Sequence, residues 1–406
     1  MNKIKTIPLK KAAFYSGERI SCLKLTPDNY IGTDNLLQNK LGKIDAFYTP
    51  KTGFTTSYSR GDILVANIRP YLKKIWYASN SGGSSADVLT LKVNESFDSR
   101  FIFYSLYRDD FFNYVMKGSK GTKMPRGDKE QILNFLIPDF NFITQQKIAT
   151  VLSTLDSKIE LNNRINSELE AMAKTLYDYW FVQFDFPNKN GKPYKTSGGK
   201  MIWNEELKRE MPDGWVIERI NLKIKIGSGF PFKTENYDDN GRYKIVTIKS
   251  VQEGYMDTSR VDKINFIPDG LPDFCKLDIG DVLMSLTGNV GRLCFVDQEN
   301  LLLNQRVGKL LADKRFVQYG YLYFQRPENQ KRLKEIANGS SQSNLSPVDA
   351  VKDYFIIPDE KILNAFSIII SPIFQKLLKN IQENQKLAEL RDWLLPMLMN
   401  GQVRVK

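Results

Sequence analysis

The sequence predicts an α+β chain: two mixed α/β globules held apart by two long antiparallel helices, the second half repeating the first about an approximate two-fold axis. Three observations predict this. The stretch 142–184 carries Ile148, Leu152, Leu155, Ile159, Asn162, Asn166, Leu169, Ala173, Leu176 and Trp180 at alternating four- and three-residue steps, the seam of a coiled coil, with no proline or glycine inside it. A second seam, Phe366, Ile370, Ile373, Leu377, Asn380, Asn384, Leu387, Arg391 and Leu394, follows at an offset of 218 residues and repeats both asparagines. Landmarks ahead of each seam also recur in one order. Gly61-Asp62-Ile63-Leu64-Val65 matches Gly280-Asp281-Val282-Leu283-Met284, and Ile137-Pro138-Asp139 matches Ile357-Pro358-Asp359.

Asparagines on an apolar seam cost stability, and they act best as register-setters that find partners in only one alignment. The expected pairing sets Leu155, Ile159, Asn162, Asn166 and Leu169 against Ile373, Leu377, Asn380, Asn384 and Leu387. In the alternative, the seam drifts onto Leu161 and Ile165 and the asparagines face water. Helices of about 40 residues at about 1.5 Å per residue make a rod of roughly 60 Å. Such a rod would hold two like globules at a fixed separation, as in a dimeric reader of two half-sites built from one chain.

Taken in order, residues 1–140 form the first globule. Gly61 to Ile68 reads as a turn entering a strand, and 74–78 and 87–93 read as further strands. Phe103, Tyr107, Phe111 and Tyr114 stand at helical spacing, so 100–114 reads as one short helix, and 132–138 reads as a strand. Residues 141–184 are the central helix. Periodicity then stops, and Asn188-Lys189-Asn190-Gly191-Lys192-Pro193 marks 185–214 as a linker. The second globule is 215–359 and the C-terminal helix 360–406. At 406 residues, two or more domains are expected.

Lys+Arg 58 against Asp+Glu 46 gives a net charge of +12, which favours a polyanionic partner such as double-stranded DNA. Cys22, Cys275 and Cys294 are odd in number, widely spaced and without zinc-ligand spacing, which fits a reducing cytoplasm and no metal. The start has no apolar signal region and nowhere do 18 uncharged apolar residues run together, so no membrane partner is expected. The chain contains no histidine, which removes the commonest general base, metal ligand and nucleophile partner. No phosphate loop and no Asn/Asp-Pro-Pro-aromatic motif occurs, so no catalytic residue is assigned.

Candidate DNA contacts follow the strand ends. Arg69, Tyr71, Lys73 and Lys74 mix cations with an aromatic, and read equally as DNA contacts or as a solvated edge. Lys117, Ser119, Lys120, Thr122, Lys123 and Arg126 form a small, basic loop suited to a phosphate chain, against a plain surface loop. Its counterpart offers Ser340, Ser341, Gln342 and Asn344; Gln and Asn can bond adenine bidentately. Thr287, Asn289 and Arg292 occupy roughly the place of 69–74, and a hairpin turn explains Gly288-Asn289-Val290-Gly291 better than an RNA-clamp loop. Asn304, Gln305 and Arg306 are further base-reading candidates or a polar strand end, and Lys233 is a phosphate candidate. Tyr179, Trp180 and Phe181 read as core packing before partner docking, and Pro358-Asp359-Glu360-Lys361 as a helix cap before a nuclease motif.

With these pieces in place, the sequence resembles the specificity subunit of type I restriction-modification systems across nearly its whole length. The resemblance rests on the repeat order and on Gly227-Ser228-Gly229-Phe230-Pro231-Phe232, Gly280-Asp281-Val282-Leu283, Leu303-Asn304-Gln305-Arg306-Val307, the 339–346 loop and Tyr179-Trp180-Phe181. The first globule keeps Gly61-Asp62 and its Gly118 to Gly127 loop but lacks the Gly-Phe opening. The resemblance implies two target-recognition domains, each reading half of a bipartite DNA site, and two helical regions that set the gap and dock two modification subunits. It implies no enzyme activity and no cofactor in this chain; S-adenosylmethionine would be used by the modification subunits and ATP by restriction subunits. The alternative is a coiled-coil adaptor whose globules bind protein and not DNA.

Overall fold

The structure, a computed structural model, describes residues 4–206, 208–339 and 342–405. Its contacts divide the chain into two units, one of residues up to 160 with those from 386 onward, the other of residues 161–385. Each long helix therefore contributes one stretch to each unit.

In the first unit the strand Thr6–Pro8 pairs antiparallel with Leu136–Pro138. The main sheet runs Ala13–Tyr15, Val88–Val93, Ile63–Ala66, Ile75–Tyr77, all antiparallel. Gly61 adopts φ +94° at the turn into Ile63–Ala66, where the Asp62 carboxylate accepts from the Ser59 amide at 2.8 Å. A left-handed turn residue followed by an Asx-type bond explains why Gly-Asp marks this point. A second sheet has the order Arg19–Ser21, Phe54–Tyr58, Gly82–Ser84, Tyr30–Ile31.

The expected single helix over 100–114 is instead two, Ser99–Tyr107 and Asp109–Lys117. Arg108 between them is extended (φ −70°, ψ 149°), and Asp109 and Asp110 open the second helix in the first turn, where carboxylates suit the dipole. The apolar spacing survives the break because both helices bury aromatics, including Phe101, Phe103, Phe111 and Phe112, in one core. The expected strand over 132–138 is likewise split, into the helix Lys129–Leu133, capped by Asp128, and the strand Leu136–Pro138.

The second unit repeats the plan. Val216–Arg219 pairs antiparallel with Tyr354–Ile357. The main sheet runs Lys225–Ser228, Val307–Leu311, Val282–Ser285, Leu293–Phe295, and the second sheet Lys263–Ile264, Tyr243–Val246, Leu301–Leu303, Lys276–Leu277. Gly280 has φ +95°, and Asp281 accepts from the Asp278 amide at 2.7 Å, duplicating Gly61-Asp62. The stretch read as a linker, 185–214, packs into this unit: Phe186 and Met211 are buried in its core, and Met201–Asn204 pairs with Arg209–Pro212.

The central helix spans Phe142–Tyr177 and ends in a π-helical turn, Asp178–Val182, where Trp180 and Phe181 are buried and Tyr179 is exposed. The C-terminal helix spans Glu360–Met399, and the Asp359 carboxylate caps it through the Lys361 amide at 2.8 Å. By length and composition this helix could cross a membrane, yet its Leu363, Phe366, Ile370, Ile373 and Leu377 are buried in the second unit's core.

Within the second unit the two helices run antiparallel and meet through amides. Asn162 Nδ2 donates to Asn384 Oδ1 and Glu383 Oε2, both at 2.9 Å, and Asn380 Nδ2 donates to Asn166 Oδ1 at 2.8 Å. Asn162 and Asn380 are fully buried and Leu161 is exposed, so the seam does not drift. Leu377 and Ile373 are buried; Leu169 packs partly buried against the same core. Within the first unit the helices meet differently: Arg391 Nη1 lies 2.7 Å from Asp156 Oδ1, Tyr104 Oη donates to Asp156 Oδ2 at 2.6 Å, and the Arg391 guanidinium stacks 4.8 Å from the Tyr107 ring. Leu155 and Ile159 on the central helix, and Leu387 on the C-terminal helix, are half-buried.

Candidate nucleic-acid interface

In the second unit four loops converge at one end of the main sheet. Thr287 and Asn344 form an isolated antiparallel bridge, as do Asn338 and Asn344. The Leu345 amide donates to Leu286 O at 2.7 Å and the Gly288 amide to Ser343 O at 2.8 Å, zipping residues 343–345 onto the 286–288 turn. Phe230 bridges Asn304, and Ser228 Oγ donates to Gln305 O at 2.7 Å. Gly229 belongs here because a Cβ would stand 2.3 Å from Leu303 O; only hydrogen permits this approach. Together Ser228, Thr287, Gln305, Arg306, Gln342 and Asn344 line an open cleft of about 530 Å³.

The expected residues of this unit divide within that frame. Gln305, Arg306, Gln342 and Asn344 are exposed at the cleft, and Asn304 is half-buried. Thr287 is buried and its Oγ1 donates to Asn344 Oδ1 at 2.8 Å, so it orients another side chain. Asn289 is exposed on the neighbouring turn. Arg292 turns inward, Nη1 donating to Gln252 Oε1 at 2.9 Å. Lys233 is exposed, 3.6 Å from Glu235. Ser340 and Ser341 lie outside the described residues.

The first unit builds the same frame from other side chains. Ile68 bridges Arg126, and Lys120 bridges Arg126. The Arg69 amide donates to Pro125 O at 2.8 Å and the Gly127 amide to Asn67 O at 3.0 Å. Arg69, Tyr71, Lys117, Lys120, Thr122, Lys123 and Arg126 are exposed, giving a basic surface rimmed by one aromatic. Ser119 Oγ instead closes the helix end on Met116 O at 2.8 Å. Two of the expected cations are already paired within the chain. Lys73 Nζ pairs with Asp109 Oδ2 at 2.8 Å, and Lys40 Nζ holds the same carboxylate's other oxygen at 2.9 Å, keeping Asp109 below the usual carboxylate range despite burial. Lys74 Nζ donates to Thr33 O, and burial pulls its ammonium below the ordinary lysine value. Residue charge alone carries no sign of this, because pairing with Asp109 and Thr33 is long-range.

A residue the sequence reading passed over is Asp87, whose Oδ1 accepts from Arg126 Nη2 at 2.6 Å. The repeat could have found it: the Asn67 amide donates to Asp87 O at 2.8 Å just as the Leu286 amide donates to Arg306 O at 3.1 Å, which makes Asp87 and Arg306 counterparts.

Comparison with known proteins agrees with this geometry. The family model for the type I restriction modification DNA specificity domain matches residues 3–171 and 212–390. The chain is 27% identical over 366 residues to the type I restriction enzyme MjaIX specificity subunit of Methanocaldococcus jannaschii, covering 86% of this chain and 79% of that protein. It is 25% identical over 406 residues to the HindI specificity subunit of Haemophilus influenzae, covering 85% and 87%. Its fold is similar to the crystal structure of the type I restriction-modification S subunit from M. genitalium, with a TM-score of 0.57, 15% identity and coverage of 98% and 97%. Two copies of one DNA-specificity domain, each followed by a long helix and each presenting the same loop frame, make this chain a member of the type I restriction-modification specificity subunit family, the non-catalytic DNA-recognition component of such systems.

Proposed function

We propose that each module reads one half of a bipartite duplex site, that the two long helices set the gap, and that they dock two modification subunits. The observation that carries this reading is the recurrence of one loop frame, Ile68–Arg126–Lys120 in the first module and Thr287–Asn344–Asn338 in the second. Exposed cations around the first frame neutralise phosphates, and polar side chains in the second module's cleft address base edges. Helices of 36 and 40 residues correspond to about 54 and 60 Å, under two turns of duplex.

In this reading the work is done in the cytoplasm. The modification subunits methylate adenine using S-adenosylmethionine, restriction subunits use ATP, and this chain supplies the address. Mapping methylated adenines across a genome with and without this gene tests it: one bipartite motif with a fixed gap should vanish with the gene. Inserting a heptad between residues 148 and 180 should change that gap; an unchanged gap would remove the ruler, and unchanged methylation without the gene would remove the reading as a whole.

A further inference from the structure

The two loop frames place one residue of each module at the same point. Arg126 exchanges backbone bonds with Lys120 at 2.9 and 3.0 Å, and Asn344 exchanges them with Asn338 at 2.7 and 2.9 Å. Each residue also bridges the turn after the Gly-Asp strand, at Ile68 or at Thr287. These four bonds put Arg126 and Asn344 at equivalent backbone positions, each paired with the residue six places earlier.

Each side chain is exposed and yet held by one partner. The Arg126 side chain is 58% exposed while Asp87 holds its Nη2 at 2.6 Å. A guanidinium has five N–H donors, so one bound to Asp87 leaves others available in a fixed plane. Asn344 is exposed while Thr287 Oγ1 holds its Oδ1 at 2.8 Å. This bond leaves the second lone pair of Oδ1 open, while Nδ2 has no hydrogen-bond partner among the described residues. A polar fork anchored at one corner and open on the other is what base recognition requires, because an unanchored side chain loses rotamer entropy on binding.

The charge around the two positions is exchanged. Arg126 faces Asp87, whereas the Asp87 counterpart beside Asn344 is Arg306, exposed on the same cleft. The arginine sits on opposite sides of the two frames, so the two frames present different donor and acceptor patterns from one backbone design.

We propose that Arg126 and Asn344 are the equivalent specificity-determining residues of the two modules, Arg126 reading a guanine in one half-site and Asn344 an adenine in the other. Arginine matches guanine O6 and N7, and an asparagine amide matches adenine N6 and N7. Asp87 and Thr287 are positioning residues that act through them. This inference rests on the proposed function above.

The test expresses the full chain with its modification subunits and maps methylated adenines by single-molecule sequencing. Arg126→Lys and Arg126→Ala should relax one G·C position in one half-site, with discrimination falling about 5- to 150-fold. Asn344→Ala should relax one A·T position in the other half-site. Asp87→Asn and Thr287→Val should relax the same two positions more weakly. In each variant the untouched half-site and the gap stay as they were, which reports an intact fold. An unaltered chain that directs no bipartite methylation overturns the functional reading, and this inference with it. An intact motif that neither Arg126 nor Asn344 substitution changes overturns the inference alone, as does uniform weakening with no change in base preference.

Discussion

The first and second modules share a strand order and differ in what holds and decorates it. The main sheets correspond strand for strand, and the second sheets share a core of three, Phe54–Tyr58, Gly82–Ser84 and Tyr30–Ile31 against Lys276–Leu277, Leu301–Leu303 and Tyr243–Val246. The fourth strand is added on opposite edges: Arg19–Ser21 pairs with Phe54–Tyr58, whereas Lys263–Ile264 pairs with Tyr243–Val246. At the turns near the cleft, Gly288 and Gly291 adopt φ +74° and +82°, whereas the first module places Arg69 and Lys73 at φ +51° and +50°. Left-handed backbone is costly for residues with a Cβ, and such strain collects at functional sites. The difference teaches that the repeat conserves backbone bonds, while edges and turn chemistry are free to diverge where the modules face their targets.

The helix seams differ in the same way, and breaking them on each side sharpens the comparison. In the second unit Phe366 is fully buried against Tyr177, Trp180 and Phe181, its ring 4.7 Å from that of Phe181. Phe366→Ala should cost about 3–5 kcal/mol, and hydrogen exchange should show the loss in residues 161–385 first. In the first unit Asp156→Ala leaves Arg391 with only Asp392, 2.9 Å away, and Tyr104 without its acceptor, at about 2 kcal/mol. Urea unfolding should register that loss, and exchange should place it in the first unit. Equal protection changes in both units after either substitution would show that the two seams unfold as one.

Turn chemistry gives a smaller effect. Gly288→Ala should destabilise by about 1 kcal/mol because φ +74° strains a Cβ, whereas Arg69→Ala at the matching position should change stability little, its cost being already present. Paired thermal melts compare the two directly, and equal shifts would deny the equivalence of these turns.

The smallest effect concerns Asp297, a buried carboxylate that accepts from Gln385 Nε2 at 2.8 Å on the C-terminal helix. Burial pushes its carboxyl above the ordinary value, against the opposing hydrogen bonds from Gln298 and Gln385. The folded state thus holds this proton more tightly than the unfolded chain, so this group's contribution falls as pH rises from the usual carboxylate range through the raised value. Asp297→Asn should flatten that slope, raising the melting temperature at pH 7.5 more than at pH 4.5. A larger gain at the acidic pH would show that the folded state holds this proton less tightly than the unfolded chain.

Sequence alone determined the parts that depend on spacing. The two seams, the recurrence of Asn162 and Asn166 as Asn380 and Asn384, and the Gly-Asp turns were legible because helical periodicity and left-handed glycine are local properties. The stretches 69–74 and 117–126 were legible only as separate candidates along the chain; the Ile68–Arg126 bridge that joins them belongs to the tertiary structure. Tertiary structure decided which candidates face solvent. Lys73, Lys74 and Arg292 are half-buried and taken up by Asp109, Thr33 and Gln252, and Arg126 takes Asp87 as its partner, because a long cationic side chain is fixed by whichever distant acceptor the fold brings within reach. It also decided that Arg108 divides one apolar periodicity into two helices, since packing reads the buried face and not the continuity of the backbone.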